Sequence, residues 1–154
     1  MIIDKWDREV INKLLDLYEE FLAETQFPVT ANRAKARDRF FYAINDPDGV
    51  IIAAFDEDGS IMGGAVAYAV ADWQDEVFGY VEKFFVSPRA RGKGAGRMIA
   101  DELSRWFDEK SAMFSFATST ANIGQNRQFE NLMAKYGYRT LGPTLAREIS
   151  HGKI

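Results

Sequence analysis

Apolar residues recur along the chain at two different periods, and the switches between them mark out its elements. From Asp7 to Glu24, Val10, Leu14, Leu17 and Phe21 lie on one line of a helix, and Ile11, Leu15, Tyr18 and Leu22 lie on the line beside it. That spacing predicts an amphipathic helix with a wide apolar stripe. Asp16, Glu19, Glu20 and Glu24 make its far side acidic. In "TQFPVT", Pro28 disfavours helix at Phe27 and ends the run. A second helix is expected from about Ala31 to Ile44, with the basic residues Arg33, Lys35, Arg37 and Arg39, and "NDPDG" closes it with turn chemistry.

The pattern then becomes that of strands. "VIIAAF", "DEDGS" and "IMGGAVAYAVADW" read as strand, Asp-Gly turn and long strand, and "VFGYVEKFFVS" as a third strand ended by Pro88. These are expected to form an antiparallel meander, and "MIIDK" at the start reads as a short strand of its own. After a glycine-rich stretch, Ile99, Leu103, Trp106 and Phe107 line one face of a helix reaching about Lys110. "AMFSFATS" reads as a short strand, apolar enough for a buried position. "IGQNRQFENLMAKYG" is a helix with Gly137 as its stop, and "YRTLGPTLAREI" gives two last strands around Gly142-Pro143. The order β-α-α-β-β-β-α-β-α-β-β predicts a mixed α/β (α+β) fold with helices flanking a largely antiparallel sheet.

Composition narrows the function. A chain of 154 residues, 47% hydrophobic and 27% charged, is expected to be one folded domain, residues 1–154. It has no cysteine, which excludes disulfides, thiolate metal sites and a cysteine nucleophile. The one histidine, His151, sits in the tail "HGKI", so neither a Ser-His-Asp arrangement nor a histidine metal site is expected, and no metal is. A net charge of −4 argues against general nucleic-acid binding, and the basic second helix reads as a solvated face. No apolar run reaches membrane-spanning length, and "MIIDKWDREV" lacks the apolar core of a secretory signal, so no membrane association and a cytoplasmic location are expected.

The candidate chemistry lies in "RARGKGAGRM", residues 89 to 98, between the strand ending "KFFVSP" and the helix opening "GRMIADEL". The first turn of a helix offers unpaired N–H groups and a positive dipole end to an anion, and glycines let a ligand approach the backbone. A Walker A loop would need GxxxxGK[ST], which is absent, and the GxGxG spacing here is not the GxGxxG of a dinucleotide fold. The remaining pattern, R/Q-x-x-G-x-G/A, is matched by Arg91, Gly94 and Gly96. It resembles the acetyl-CoA pyrophosphate motif of the GNAT superfamily of N-acetyltransferases. "FFVSPRARGKG" is similar to that family's LxVxPxxRGxG junction, and "NRQFENLMAKYGY" to its NxxAxxLYxKxGF helix, with Asn126, Leu132, Lys135, Gly137 and Tyr138 at matching positions.

The resemblance implies a cofactor geometry. Acetyl-CoA would be the co-substrate, with backbone groups of Phe84, Phe85 and Val86 pairing with its pantetheine arm. Arg91, Gly92, Lys93, Gly94, Ala95, Gly96 and Arg97 would surround the pyrophosphate, and Asn126 would touch the cofactor from the next helix. The reaction would be acetyl transfer to an amine-bearing acceptor by direct attack in a ternary complex. An amine with a pKa of about 10 is almost wholly protonated at pH 7, so a base is needed. Glu82 is the candidate general base, four residues before Val86 and expected on the same face as Phe84 and Val86; the alternative is a solvated or salt-bridged strand carboxylate. An oxyanion would be held by a backbone N–H near Val86. Asp72, Asp75 and Glu76 form an acidic turn that either attracts a cationic amine or is simply exposed.

The chain departs from the pattern at the position seven after Asn126. The family's proton-donating tyrosine is Met133 here, and Phe129 replaces the usual alanine. Tyr136 is a substitute general acid or else a packing residue. Met133 also keeps open a second function, a non-catalytic acyl-CoA-binding sensor or regulatory protein on the same fold. The acceptor walls are expected in "AETQFPVTANRAK" and "YRTLGPTLA", neither with a legible signature, and the assembly is expected to be a monomer or homodimer.

Overall fold

The computed structural model describes residues 1–25, 29–71, 73–118 and 123–141, with side chains from residue 126 onward in the last stretch. Helix α1 spans Arg8–Ala23 and starts where Asp7 accepts hydrogen bonds from the N–H groups of Glu9 and Val10. Helix α2 spans Arg33–Asn45 and is capped in the same way by Asn32, which accepts from the Lys35 N–H. Strands β1 (Gly49–Phe55), β2 (Ile61–Val70) and β3 (Phe78–Val86) follow. A 3-10 turn at Pro88–Ala90 leads to helix α3 (Ala95–Glu109), then strand β4 (Phe114–Ala117) and helix α4 (Ile123–Ala134). Beyond α4, the Gly137 N–H bonds the Ala134 carbonyl and the Tyr138 N–H bonds the Met133 carbonyl, the double bond that closes a helix C-terminus.

The sheet has the order β1-β2-β3-β4. The first three strands form the expected antiparallel meander, and β4 joins β3 in parallel. Two expectations are corrected. Residues 1–3 make a single bridge, Ile2 with Ile52, and the chain from Asp4 to Trp6 leaves the sheet to reach the Asp7 cap of α1. Strand β4 is not buried: it is the edge of the described sheet, Phe114 is 56% exposed and its other residues are half-buried. Of the expected last strands, Tyr138 to Leu141 are not in a strand, and the rest lies outside the described residues, as does His151.

The helices cover opposite faces. Ile99, Leu103, Trp106 and Phe107 of α3 pack on Val50, Ile52, Ala65, Ala67 and Val81. Ile11, Leu14 and Leu15 of α1, with Phe40 and Ala43 of α2, pack on Ile51, Ala53, Val66 and Phe85. Val81 and Phe85 are four apart on one strand and would share a face in a regular one, yet they belong to different cores. The register explains it. Lys83 pairs with Val66 and Val81 with Ala67, so Glu82 is the extra residue of a β-bulge.

Packing of α3 on β3 depends on Gly79. A Cβ there would lie 2.5 Å from the Phe107 ring, and Phe107 is buried. Gly79→Ala is expected to destabilise the fold by about 1–3 kcal/mol through overpacking, read as a lower midpoint in urea with an unchanged slope.

Candidate functional site

The glycine-rich stretch folds as an open cradle. Gly92 and Gly94 have φ of 81° and 87°, and nothing lies within 4 Å of where a Cβ would stand at either. Gly94 is the N-cap of α3 and no side chain caps that helix. The N–H groups of Ala95, Gly96 and Arg97, which have no acceptor within the helix, therefore stay available at the loop. They border a cavity of about 450 Å³. One wall is β3 from Glu82 to Val86; the opposite wall is Gln128, Phe129 and Leu132 of α4, with Phe21 of α1 and Thr118 after β4 closing the end. Pairing of β3 with β4 stops at Val81 and Ala117, so among the described residues the β4-facing edge of Glu82 to Val86 has no strand beside it.

Arg91 lines this cavity, but its guanidinium makes a two-pronged ion pair with Glu24 at the C-terminus of α1. Arg89 binds Glu20 at 3.0 Å. The loop is thus tied twice to α1. Arg97 is exposed and lines the cavity; Lys93 is exposed, 3.8 Å from Asp56, and lies outside the lining. Asn126 is half-buried and also lies outside the lining, to which α4 contributes Gln128, Phe129 and Leu132.

A second cleft, of about 600 Å³, opens on the α2 side and is lined by Arg39, Tyr42 and Asp46 of α2 and its cap, Tyr68 and Val70 of β2, Tyr80, Val81 and Glu82 of β3, Phe116 of β4, and Thr118. Glu82 and Thr118 border both cavities. The bulge sends the Glu82 side chain toward α1 and α2, away from Phe84 and Val86, which pack on the α3 side. The expectation that the three share a face is therefore wrong. Arg39 donates to Glu82 Oε1 at 3.1 Å, while Oε2 is buried with no hydrogen-bond partner among the described residues. The Tyr68 hydroxyl is likewise buried without a partner. Burial first, and then the Glu82 charge, push the Tyr68 phenol up to about 12. The same two causes, in the same order, raise Tyr18.

Sequence comparison matches the Acetyltransferase (GNAT) family model over residues 13–134. The chain belongs to the GNAT acetyltransferase family. No curated protein matches it by sequence. Solved structures share its fold at low identity. An aminoglycoside acetyltransferase from an uncultured soil metagenomic sample is 19% identical, with 97% of each chain covered and a TM-score of 0.72. Glucosamine-6-phosphate N-acetyltransferase from Arabidopsis thaliana is 15% identical, with 97% of this chain and 98% of that one covered and a TM-score of 0.69. AAC(6')-Iy in complex with a CoA bisubstrate analogue is 13% identical, with 97% of each chain covered and a TM-score of 0.72.

Other positions marked in this GNAT sequence fall away from the cavities. The Tyr136 hydroxyl donates to Asp101 Oδ1 of α3 at 2.6 Å and borders neither cavity; burial and that bond raise its pKa. Met133 is buried and fills core space. Phe129 does enter the cavity wall, edge-on to Phe84 with ring centres 5.2 Å apart. Asp75 and Glu76 are exposed and border neither cavity, and Asp72 lies outside the described residues. The basic helix α2 is partly engaged rather than simply solvated: Arg33 binds Asp16 and Glu19, and Arg39 binds Glu82.

The second cleft was not legible in the sequence. Its one local signal was tyrosine on strands, Tyr68 in the otherwise apolar β2 and Tyr80 two residues before Glu82 in β3. The buried phenol gives a direct test. An alkaline absorbance titration at the tyrosinate band is expected to show a component near pH 12, absent in Tyr68→Phe. Because the Glu82 charge opposes a second negative charge, Glu82→Gln moves that component to lower pH.

Proposed function

We propose that the chain is an N-acetyltransferase that moves an acetyl group from acetyl-CoA to an amine by direct attack within a ternary complex. The observation that carries this reading is that a cradle for an anion and a second, acid-bearing cleft meet at Glu82 and Thr118. In this reading the pyrophosphate sits on the N–H groups at the start of α3, with Arg97 adding charge. The pantetheine arm extends the sheet along the edge of Phe84, Phe85 and Val86 that has no strand beside it among the described residues. Arg91 holds the loop to α1 through Glu24.

The thioester then lies beside Glu82. An ammonium entering from the second cleft gives its proton to Glu82 Oε2, the buried oxygen that Arg39 leaves open. The neutral amine attacks the carbonyl carbon, with a backbone N–H near Val86 holding the oxyanion. The C–S bond breaks as the amide forms, the CoA thiolate leaves, and the second amine proton passes to solvent. A thiol has a pKa of about 8.5, so at neutral pH water protonates the thiolate downhill and no tyrosine is required at Met133.

One observation favours a non-catalytic acyl-CoA-binding protein instead. Met133 is buried and Tyr136 is bound to Asp101, so neither supplies a donor at the cavity. Calorimetric titration with CoA, followed by an amine-panel assay, separates the readings. Gly94→Val is expected to weaken CoA binding by about tenfold or more, since the position is left-handed and faces the cradle. Glu82→Gln is expected to leave CoA affinity unchanged and to lower kcat/KM by about 10²–10⁴. CoA binding with no turnover on any amine would favour the sensor.

A further inference from the structure

The second cleft has a floor that runs straight across the sheet. Tyr68 of β2 pairs in register with Tyr80 of β3, and Tyr80 with Phe116 of β4. Residues directly opposite on neighbouring strands share a face, so the three rings stand side by side at one level. Tyr42 extends the row from α2, its ring centre 6.2 Å from that of Tyr68. Tyr80 and Phe116 are stacked, 5.7 Å apart with planes at 22°, and Tyr80 is 38% exposed. All four border the cleft.

The polar atoms beside the row are specific about what they accept. Glu82 Oε2 and the Tyr68 hydroxyl are both buried and, among the described residues, both lack a hydrogen-bond partner. A buried carboxylate oxygen left unpaired is costly, and a ligand that donates to it removes that cost. An ammonium brings three donors and a positive charge to such acceptors; a phosphate or carboxylate would be repelled by Glu82. The charged groups among the described lining residues are Arg39, Asp46 and Glu82, with Arg39 paired to Glu82, a net of one negative charge. This leaves one seat for one ammonium, beside ring faces that attract both a cation and a flat apolar body.

We propose that this row is the floor of the acceptor subsite and that it takes a monoamine carried on a flat ring, its ammonium between Glu82 Oε2 and the Tyr68 hydroxyl. The proposal rests on the acetyltransferase reading above and adds the substrate class. The ring lies along Tyr80 and Phe116, and Arg39 is a positioning residue that holds the Glu82 carboxylate through Oε1.

The test uses the full chain saturated with CoA, titrated calorimetrically with 2-phenylethylamine, n-butylamine and the polycationic amino sugar kanamycin A. The ring amine is expected to bind about tenfold more tightly than n-butylamine, and more tightly than kanamycin A. Tyr80→Leu and Phe116→Leu keep apolar bulk but remove a ring, and each is expected to shrink that advantage, read as the ratio of the two affinities within the same variant, to about twofold or less. Tyr68→Phe is expected to weaken both simple amines together. Equal affinity for the two simple amines, an advantage that survives both leucine variants, or tighter binding of kanamycin A would overturn the proposal while leaving the acetyltransferase reading intact. Failure of CoA itself to bind, read in the first titration, would overturn that reading and the proposal with it.

Discussion

One extra residue in β3 sets the geometry of the whole site. Without the bulge at Glu82, strand alternation would place Val81 and Phe85 on one face and send Glu82 to the other with Phe84 and Val86. With it, Val81 packs under α3 while Phe85 packs under α1, and Glu82 turns toward α2. The same bend coincides with the point where β3 and β4 stop pairing. One local irregularity therefore aims a carboxylate into one cleft and coincides with a strand edge that, among the described residues, has no partner along the other.

Charge pairs then relate the helices to that bend. Arg39 of α2 reaches Glu82, and Arg91 and Arg89 beside the glycine loop reach Glu24 and Glu20 of α1. Part-exposed pairs of this kind add little to stability. Their effect is on position: each joins a helix to the strand or loop that borders a cavity. The acidic outer face of α1 has a counterpart in the arginines that precede α3, residues that are far apart in the chain.

In the proposed reaction the two proton transfers are unequal. Removing a proton from an ammonium at neutral pH runs uphill by roughly three pKa units, whereas protonating a departing thiolate runs downhill. A site with a buried carboxylate and no donor from Met133 or Tyr136 supplies help where the chemistry lacks it. Loss of a tyrosine at Met133 is in that light compatible with turnover.

The sequence by itself determined the helices, the meander and the glycine cradle, because each is written in local terms. The apolar stripe of α1 lies within a few turns, the Asp7 and Asn32 caps act within three residues, and the Arg91, Gly94 and Gly96 spacing lies within one loop. Motif similarity likewise led to the family that the comparison shows. Tertiary structure alone decided what strand alternation could not. A bulge is a relation between two strands, so the face of Glu82 could not be read from β3. Burial of β4 depended on how many neighbours it had, not on its apolar residues. The aromatic row exists only because the sheet register brings Tyr68, Tyr80 and Phe116 to one level and the packing of α2 sets Tyr42 beside Tyr68, residues spread over 75 positions of chain.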